Sequence, residues 1–298
     1  MKRFISFFGI ILYIAGFFFC VSFPASGQSG SSVWRISRNG STLFLGGSIH
    51  VLRADDFPPP QEFDRAFAQS SMLILEADIE ELANEKIVQY LMANMFLPNY
   101  KTLESVLDSP TYEMLRAKCK EFALAIESFS RFKPSMIINI LTMLEIQKFG
   151  FAESGIDAYY FAMAKQAGKR LGFLETVEAQ IDMLVNMGDG YENDFVRYSL
   201  ADMENTEEEI VTLVSEWRNG RTGHFESAIS EMRETWPVLY QTMLCNRNAA
   251  WLPQIEEYLT GGQSVFVIVG LAHLHGPDGL LRMLEQSGCA VEQFRLTL

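Results

Sequence analysis

The sequence is poor in cysteine and histidine, with four of each among 298 residues. No two cysteines are separated by two residues, and no cysteine lies close to a histidine, which argues against a zinc site built from thiolates. Cys119, Cys245 and Cys289 lie beyond the N-terminal segment, and an odd number allows at most one internal disulfide among them.

Basic residues are also few. The sequence contains 24 lysines and arginines but 37 aspartates and glutamates, which gives a net charge of −13. A surface of this sign repels phosphate backbones, so we expect no nucleic-acid partner. Low-complexity linkers and Pro/Gly-rich seams are absent as well. The sequence therefore predicts a single domain over residues 28–298, which is long enough to bury a substantial core.

The N-terminus has the pattern of a secretory signal peptide. Lys2 and Arg3 precede an uncharged run at residues 4–23, and small residues follow up to Gly27. We predict a signal peptide at residues 1–27 and a periplasmic or extracellular location. The alternative is an uncleaved anchor in the inner membrane with the domain facing the periplasm, because about 20 apolar residues also span a bilayer. Membrane contact would be limited to that segment.

Short apolar runs alternate with longer helical patterns. Strands are predicted at residues 43–45, 72–75, 171–174, 265–269 and 291–296, and helices at 110–128, 134–146, 157–168, 193–217 and 225–258, the last interrupted near residue 236. Continuous apolar runs suit strands that are covered on both faces. The predicted fold class is α/β, with a mixed, largely parallel central sheet flanked by helices.

Polar side chains follow four of these strands. His50, Glu76, Glu175 and His273 come after the runs at 43–45, 72–75, 171–174 and 265–269, respectively. Ligands of open α/β sheets bind outside the carboxyl ends of the strands, so these four metal-compatible side chains could converge there. Gly47 and Gly270 would let the chain turn without a Cβ crowding the site.

Each of these residues also has a structural interpretation. A single histidine after a strand is more often a cap or a packing residue, and Glu175 could simply favour the N-terminus of the next helix. His275 reads as a loop residue, and His224 lies in a polar turn without an assigned role. The recurrence of strand-Gly-x-x-His at both ends of the domain is what favours a site.

Five segments together resemble the TraB/PrgY/GumN family. They are GGSIHV (46–51), LEAD (75–78), GFLETVEAQ (172–180), NRNAAWLPQI (246–255) and VGLAHLHGPDGLL (269–281). The family is similar to the TIKI metalloproteases and, more distantly, to erythromycin esterases and ChaN-like haem-binding proteins. This resemblance implies an α/β fold with a large helical insertion, in which both Gly-x-x-His segments flank one pocket. It also implies functional roles for His50, His273, Glu76, Glu175 and Arg247.

The first functional hypothesis is a divalent-metal hydrolase that acts on the amide bond of a peptide or on another small carbonyl substrate. His50, His273 and Glu76 would be the metal ligands, a set that suits zinc, manganese or cobalt alike. Glu175 would act as general base, Arg247 would face the developing oxyanion, and Asn248 would orient the substrate or Arg247. The structural alternative for the Arg247-Asn248 pair is a helix surface.

Two further hypotheses use the same residues. In a metal-free, esterase-like hydrolase, the histidines and glutamates would serve as acid and base. In a periplasmic binding protein without chemistry, the pocket would sequester a peptide, haem or a metal ion.

Overall fold

The computed structural model describes residues 30–152 and 155–296. Within these ranges the chain forms two compact units. The sheet unit contains residues 30–79, Ala152, 155–175 and 211–296, and the helical unit contains Glu80–Phe151 and Thr176–Ile210. The predicted signal peptide at 1–27 lies outside the described residues, and the single domain over 28–298 stays a prediction.

The sheet unit is built on a six-stranded sheet of order β4-β3-β5-β2-β1-β6. Its strands are β1 (Val33–Arg38), β2 (Ser41–Ser48), β3 (Met72–Leu75), β4 (Arg170–Phe173), β5 (Val265–Gly270) and β6 (Ala290–Gln293). Strands β4, β3, β5 and β2 run parallel, whereas β1 is antiparallel to both of its neighbours. The predicted mixed, largely parallel α/β sheet is confirmed.

The centre of the sheet explains why its strands read as apolar runs. Every residue of β3 and β5 is buried. Each large aliphatic side chain buried there contributes about 1.5–3 kcal/mol relative to an exposed position, before cavity effects are counted. The strand β5 lies between β3 and β2, so its backbone is paired on both edges and its side chains are covered on both faces.

Strand β1 is the one strand of the described sheet that the apolar runs did not predict. It forms a hairpin with β2 through Asn39 and Gly40, both of which have positive φ angles (52° and 82°). Two consecutive positive φ angles are the geometry of the tight hairpin turn that an Asn-Gly pair favours. Strand β6 is shorter than predicted, because pairing with β1 ends at Gln293.

The sheet unit has helices within or close to the predicted ranges 157–168 and 225–258, and two more, at 61–69 and 280–286, that were not predicted. They are α1 (Gln61–Gln69), α6 (Ile156–Gln166), α10 (Gly223–Thr235), α11 (Pro237–Tyr240), α12 (Asn246–Thr260) and α13 (Leu280–Gln286), with a π-helical turn at Gln241–Cys245. Helix α12 packs against β1, β2 and β5. Trp217 is fully buried and donates from its indole nitrogen to the Gly47 carbonyl (2.8 Å), which fixes the end of β2.

The helical unit interrupts the sheet unit twice along the chain. Its helices are α2 (Glu85–Asn94), α3 (Leu103–Val106), α4 (Ser109–Glu121), α5 (Pro134–Lys148), α7 (Val177–Val185) and α8 (Glu192–Asp202); α9 (Thr206–Asn219) begins in this unit and ends in the other. Asp108 caps α4 by accepting from the Thr111 N–H (2.9 Å), and Pro110 occupies the first turn.

The described residues can be examined for membrane-spanning helices and for disulfide bonds. None of the helices in residues 30–152 and 155–296 is long and apolar enough to cross a membrane. Cys119, Cys245 and Cys289 are all free thiols, so the one disulfide that their number allowed is not formed among them.

Candidate functional site

The carboxyl ends of the four parallel strands carry the side chains that the sequence singled out. His50 follows β2 by two residues, Glu76 directly follows β3, and Glu175 follows β4 by two residues. His273 closes the 3₁₀ turn Leu271–His273, which continues from β5. Because these strands are parallel and adjacent, their carboxyl ends lie along one edge of the sheet. The structure brings all four residues to that edge.

Arg247 joins three of these residues. Its Nε donates to both carboxylate oxygens of Glu175 (3.2 and 3.1 Å), and its Nη2 donates to Glu175 Oε1 and Glu76 Oε2 (2.6 Å each). Its Nη1 donates to His273 Nε2 (2.8 Å) and to the Met243 carbonyl (3.2 Å). These bonds use all five N–H groups of the guanidinium. Arg247 is therefore satisfied by protein atoms, and contact with a substrate oxyanion would require some of these bonds to be exchanged.

The position of Arg247 depends on the start of helix α12. The π-helical turn Gln241–Cys245 directly precedes that helix, and turns of this kind occur frequently at functional sites. The guanidinium carbon lies 4.6 Å from the centroid of the Trp251 ring, one turn further along α12. Burial disfavours the charge, but the carboxylates of Glu76 and Glu175 outweigh burial and raise the pKa of Arg247.

His273 is held as a neutral imidazole with a defined tautomer. Arg247 can only donate, so the His273 Nε2 that receives its hydrogen bond carries no proton. The Nδ1–H then donates to Asn248 Oδ1 (2.6 Å), and the Asn248 Nδ2 donates to the His273 carbonyl (3.1 Å). Burial, followed by the charge of Arg247, lowers the pKa of His273 to about 3. Asn248 thus orients His273.

His50 has a different environment. Its Nδ1 lies 2.7 Å from Asp157 Oδ2, and its side chain is 23% exposed, against 5% for His273. Burial opposes protonation, but the charge of Asp157 and its hydrogen bond outweigh burial and raise the pKa of His50 to about 9. A proton on Nδ1 directed at Asp157 leaves Nε2 turned toward the cluster. His50 is therefore the more accessible of the two imidazoles.

Glu76 connects strand β5 with Arg247. Its Oε1 accepts from the Gly270 N–H (2.7 Å) and lies 4.0 Å from His273 Nε2, while Oε2 accepts from Arg247. Burial favours the neutral acid, but the neighbouring positive charge of Arg247 prevails and lowers the pKa of Glu76. Glu76 is therefore an ionised carboxylate at the centre of the cluster.

The space between these groups exists because residue 270 is glycine. A Cβ at Gly270 would lie 3.2 Å from His50 Nε2, 3.3 Å from Glu76 Oε1 and 3.6 Å from His273 Cδ2. The three residues predicted as metal ligands thus surround one point. Nevertheless, no group of three or more His, Cys, Asp or Glu side chains in the described ranges is disposed to hold a metal ion. In this conformation Arg247 occupies His273 Nε2 and Glu76 Oε2.

Asp157 is the member of the site that the sequence did not indicate as functional. It lies in the first turn of α6, where an aspartate is an ordinary helix-stabilising residue. The sequence feature that could have indicated Asp157 is the nearby Gly155. A Cβ at Gly155 would collide with the Ile49 carbonyl oxygen and His50 Cα. That close backbone approach is what places Asp157 against His50.

The remaining histidines lie outside the cluster. His275 is 8% exposed, with its ring edge-on to Trp34 (5.4 Å between centroids), and its Nε2 has no hydrogen-bond partner within the described part of the chain. His224 lies at the start of α10, where its backbone N–H donates to Glu216 (3.0 Å). Neither contributes to the site at the sheet edge.

Comparisons with known proteins agree with the pattern of motifs. Searches of curated proteins and of solved structures found no match. A family model described as the TraB/PrgY/gumN family matches residues 32–293, a range that spans both compact units and contains every residue of the site. The chain belongs to the TraB/PrgY/gumN family.

Proposed function

We propose that the chain is an exported hydrolase that cleaves a peptide amide bond with a divalent metal ion. One observation carries this proposal: His50 Nε2, Glu76 Oε1 and the His273 ring surround a single point beside Gly270. Two imidazoles and one carboxylate are a set of ligands that leaves coordination positions open, as catalytic sites require.

Three features of the residues present fit a bound cation. Each imidazole has an acceptor at Nδ1, which is Asp157 for His50 and Asn248 for His273, and such partners orient metal-binding histidines. Both Nε2 atoms consequently face the cluster. The carboxylates of Asp157, Glu76 and Glu175 also exceed in charge the guanidinium and the protonated His50, so a divalent cation that replaces the His50 proton is electrostatically favoured.

Arg247 donates hydrogen bonds to two of the atoms that a metal ion would need. Binding of a cation at His273 Nε2 and Glu76 Oε2 requires that the hydrogen bonds from Arg247 to these atoms break. Arg247 would keep its hydrogen bonds to Glu175 through Nε and Nη2. The released N–H groups are those that could then face an oxyanion, so a single shift would serve both requirements.

The roles of the protein groups follow from their hydrogen bonds. When bound, a divalent metal ion would polarise the substrate carbonyl and lower the pKa of water. Glu175 Oε2 is the candidate general base, because it accepts one hydrogen bond from Arg247, at 3.1 Å, while Oε1 accepts two. Asp157 and Asn248 would fix the two imidazoles.

A metal-free hydrolase is the second candidate, and a specific observation favours it. Arg247 already provides a cation at the atoms where a metal would bind, and all its donors are satisfied. With its pKa raised to about 9, His50 would be protonated at neutral pH and could act as a general acid beside Asp157. Glu175 would again be the base.

The metal content of the purified protein separates these candidates. We expect about one equivalent of zinc, manganese or cobalt in the wild type and in His224→Ala, and loss of that metal in a His50→Ala, His273→Ala double variant. His224 is a matched control because it lies outside the site. Equal metal content in all three proteins would remove the metal hypothesis.

Activity is tested on a mixture of peptides analysed by mass spectrometry. Cleavage that is lost to a chelator and restored by one ion supports the metal-dependent hydrolase, whereas cleavage that resists the chelator supports the metal-free one. A Glu175→Gln variant distinguishes either hydrolase from a binding protein. If the protein is a hydrolase, the wild type cleaves the peptide, and the Glu175→Gln variant binds it without cleaving it. If the protein only sequesters its ligand, neither the wild type nor the variant cleaves the peptide.

Export is proposed from the N-terminal sequence alone. N-terminal sequencing of the protein recovered outside the cytoplasm should begin close to residue 28 if the signal peptide is removed. Recovery of the intact N-terminus in the membrane fraction would instead support the anchored alternative.

A further inference from the structure

The helical unit contains a cavity of about 880 Å³, and none of its lining residues belongs to the site at the sheet edge. One wall is the stretch after α2, which pairs with residues 131–133. Phe96 and Phe132 form an antiparallel bridge, the Leu97 N–H donates to the Arg131 carbonyl (2.7 Å), and the Lys133 N–H donates to the Met95 carbonyl (3.0 Å). This wall is therefore held by backbone hydrogen bonds.

Two cations line this cavity without a carboxylate partner. Lys101 is exposed, and neither Lys101 nor Arg131 forms an ion pair with any described residue. The Arg131 Nη2 donates to the Leu97 carbonyl (3.0 Å) and to Asn99 (3.2 Å), while its Nε is buried without an acceptor. A buried donor without a partner is unfavourable, because it has lost its hydrogen bond to water. In a chain with a net charge of −13, two unneutralised cations at one cavity indicate an anionic ligand.

Two acidic residues on the lining limit the charge of that ligand. Asp189 is paired with Lys133 (3.1 Å), and Glu192 has no ion pair with the residues that the structure describes. The unpaired carboxylate of Glu192 repels a multiply charged anion such as phosphate more strongly than it repels a ligand that carries one carboxylate group. The lining thus favours a monoanion.

The apolar part of the lining indicates what carries the anion. Phe96, Leu97 and Val106 line the cavity, and Phe96 is 37% exposed with its ring edge-on to Phe132 (5.0 Å). An apolar lining beside two cations suits an apolar chain that ends in a carboxylate.

We propose that this cavity binds the C-terminal end of an apolar peptide. The α-carboxylate would lie against Lys101 and Arg131, and the last side chains would lie against Phe96, Leu97 and Val106. The volume is within the usual range for small-ligand sites. This site is independent of the proposed hydrolase activity, because every residue named here belongs to the helical unit.

The test uses a fluorescein-labelled apolar hexapeptide, as the free acid and as the C-terminal amide. It is titrated by fluorescence anisotropy into the full chain carrying His50→Ala and His273→Ala, so that hydrolysis and metal binding do not interfere. We expect the free acid to bind at least about tenfold more tightly than the amide, and less tightly as salt is raised. Lys101→Glu should abolish the preference, and Glu192→Gln should strengthen it.

Lys120→Glu is the matched control, since Lys120 is an exposed lysine of the same unit that lies outside the cavity lining. It should leave the preference intact. Equal binding of the acid and the amide, or an unchanged preference in a folded Lys101→Glu variant, would overturn the proposal. Displacement of the peptide by an equimolar saturated fatty acid would overturn the assignment to a peptide.

Discussion

Replacing Gly270 with alanine tests the cluster without removing any of its reactive groups. The backbone of Gly270 has φ −51° and ψ 134°, which alanine also adopts, so the substitution acts only through the added methyl group. That methyl would lie 3.2 Å from His50 Nε2 and 3.3 Å from Glu76 Oε1. These atoms must then move apart by a few tenths of an ångström.

The substitution should lower stability, metal affinity and cleavage rate together. One extra methyl group in a packed environment costs about 1–3 kcal/mol. A metal site tolerates deviations of only about 0.2 Å in its metal–ligand distances, and a catalytic site tolerates displacements of only about 0.5 Å in its functional groups. We therefore expect metal affinity to fall by about 10–100-fold. Peptide cleavage should fall by about 100-fold. Metal content by elemental analysis, cleavage rate and thermal unfolding measure the three quantities.

Gly223→Ala is the matched control in the same unit. Its Cβ would meet open space, with the nearest atom, Glu216 Oε1, at 4.0 Å. At the start of α10 it should raise stability slightly and leave metal content unchanged. If Gly270→Ala retains wild-type metal content and cleavage rate while folded, the three groups around residue 270 do not form the functional centre.

Three further predictions concern stability. Arg247→Met removes the guanidinium from the buried Glu76 and the partly buried Glu175, and should lower the free energy of unfolding in urea by about 3–5 kcal/mol. A smaller loss after Glu76→Gln is added would show that the unpaired charge of Glu76 is responsible. In metal-free protein, the folded-state pKa of His50 is raised to about 9, so its contribution is fully present below pH 6.5 and is lost as the pH rises to 9; His50→Gln should abolish that alkaline loss. The folded-state pKa of His273 is lowered to about 3, so its contribution is present above pH 6.5 and is lost toward pH 3, and His273→Gln should reduce the acid loss. Urea titrations from pH 4 to 9 would contradict this account if both variants parallel the wild type.

Burial explains why two of the predicted strands were easy to recognise in the sequence. Strands β3 and β5 are buried throughout, so each reads as an uninterrupted apolar run. Strand β1 has one neighbour on each side but an exposed Arg35 in the middle, so its pattern is mixed rather than continuous. Its real signal was Asn39-Gly40, which predicts a hairpin from turn geometry instead of from hydrophobicity.

The position of the site could be predicted, but its hydrogen bonds could not. Polar residues after parallel strands must meet at one edge, which is why His50, Glu76, Glu175 and His273 were found together. Sequence spacing does not specify which partner each donor selects in three dimensions. Asn248, expected to orient the substrate or Arg247, bonds to His273 instead.

The central claim is that His50, Glu76 and His273 can bind a common divalent cation. The most direct measurement is an anomalous difference map from crystals grown with manganese and then with zinc. We expect a peak beside Gly270, within about 2.0–2.2 Å of both Nε2 atoms and a Glu76 oxygen, with Arg247 displaced from His273. A map without a peak there, in which Arg247 still donates to His273 Nε2, would contradict it.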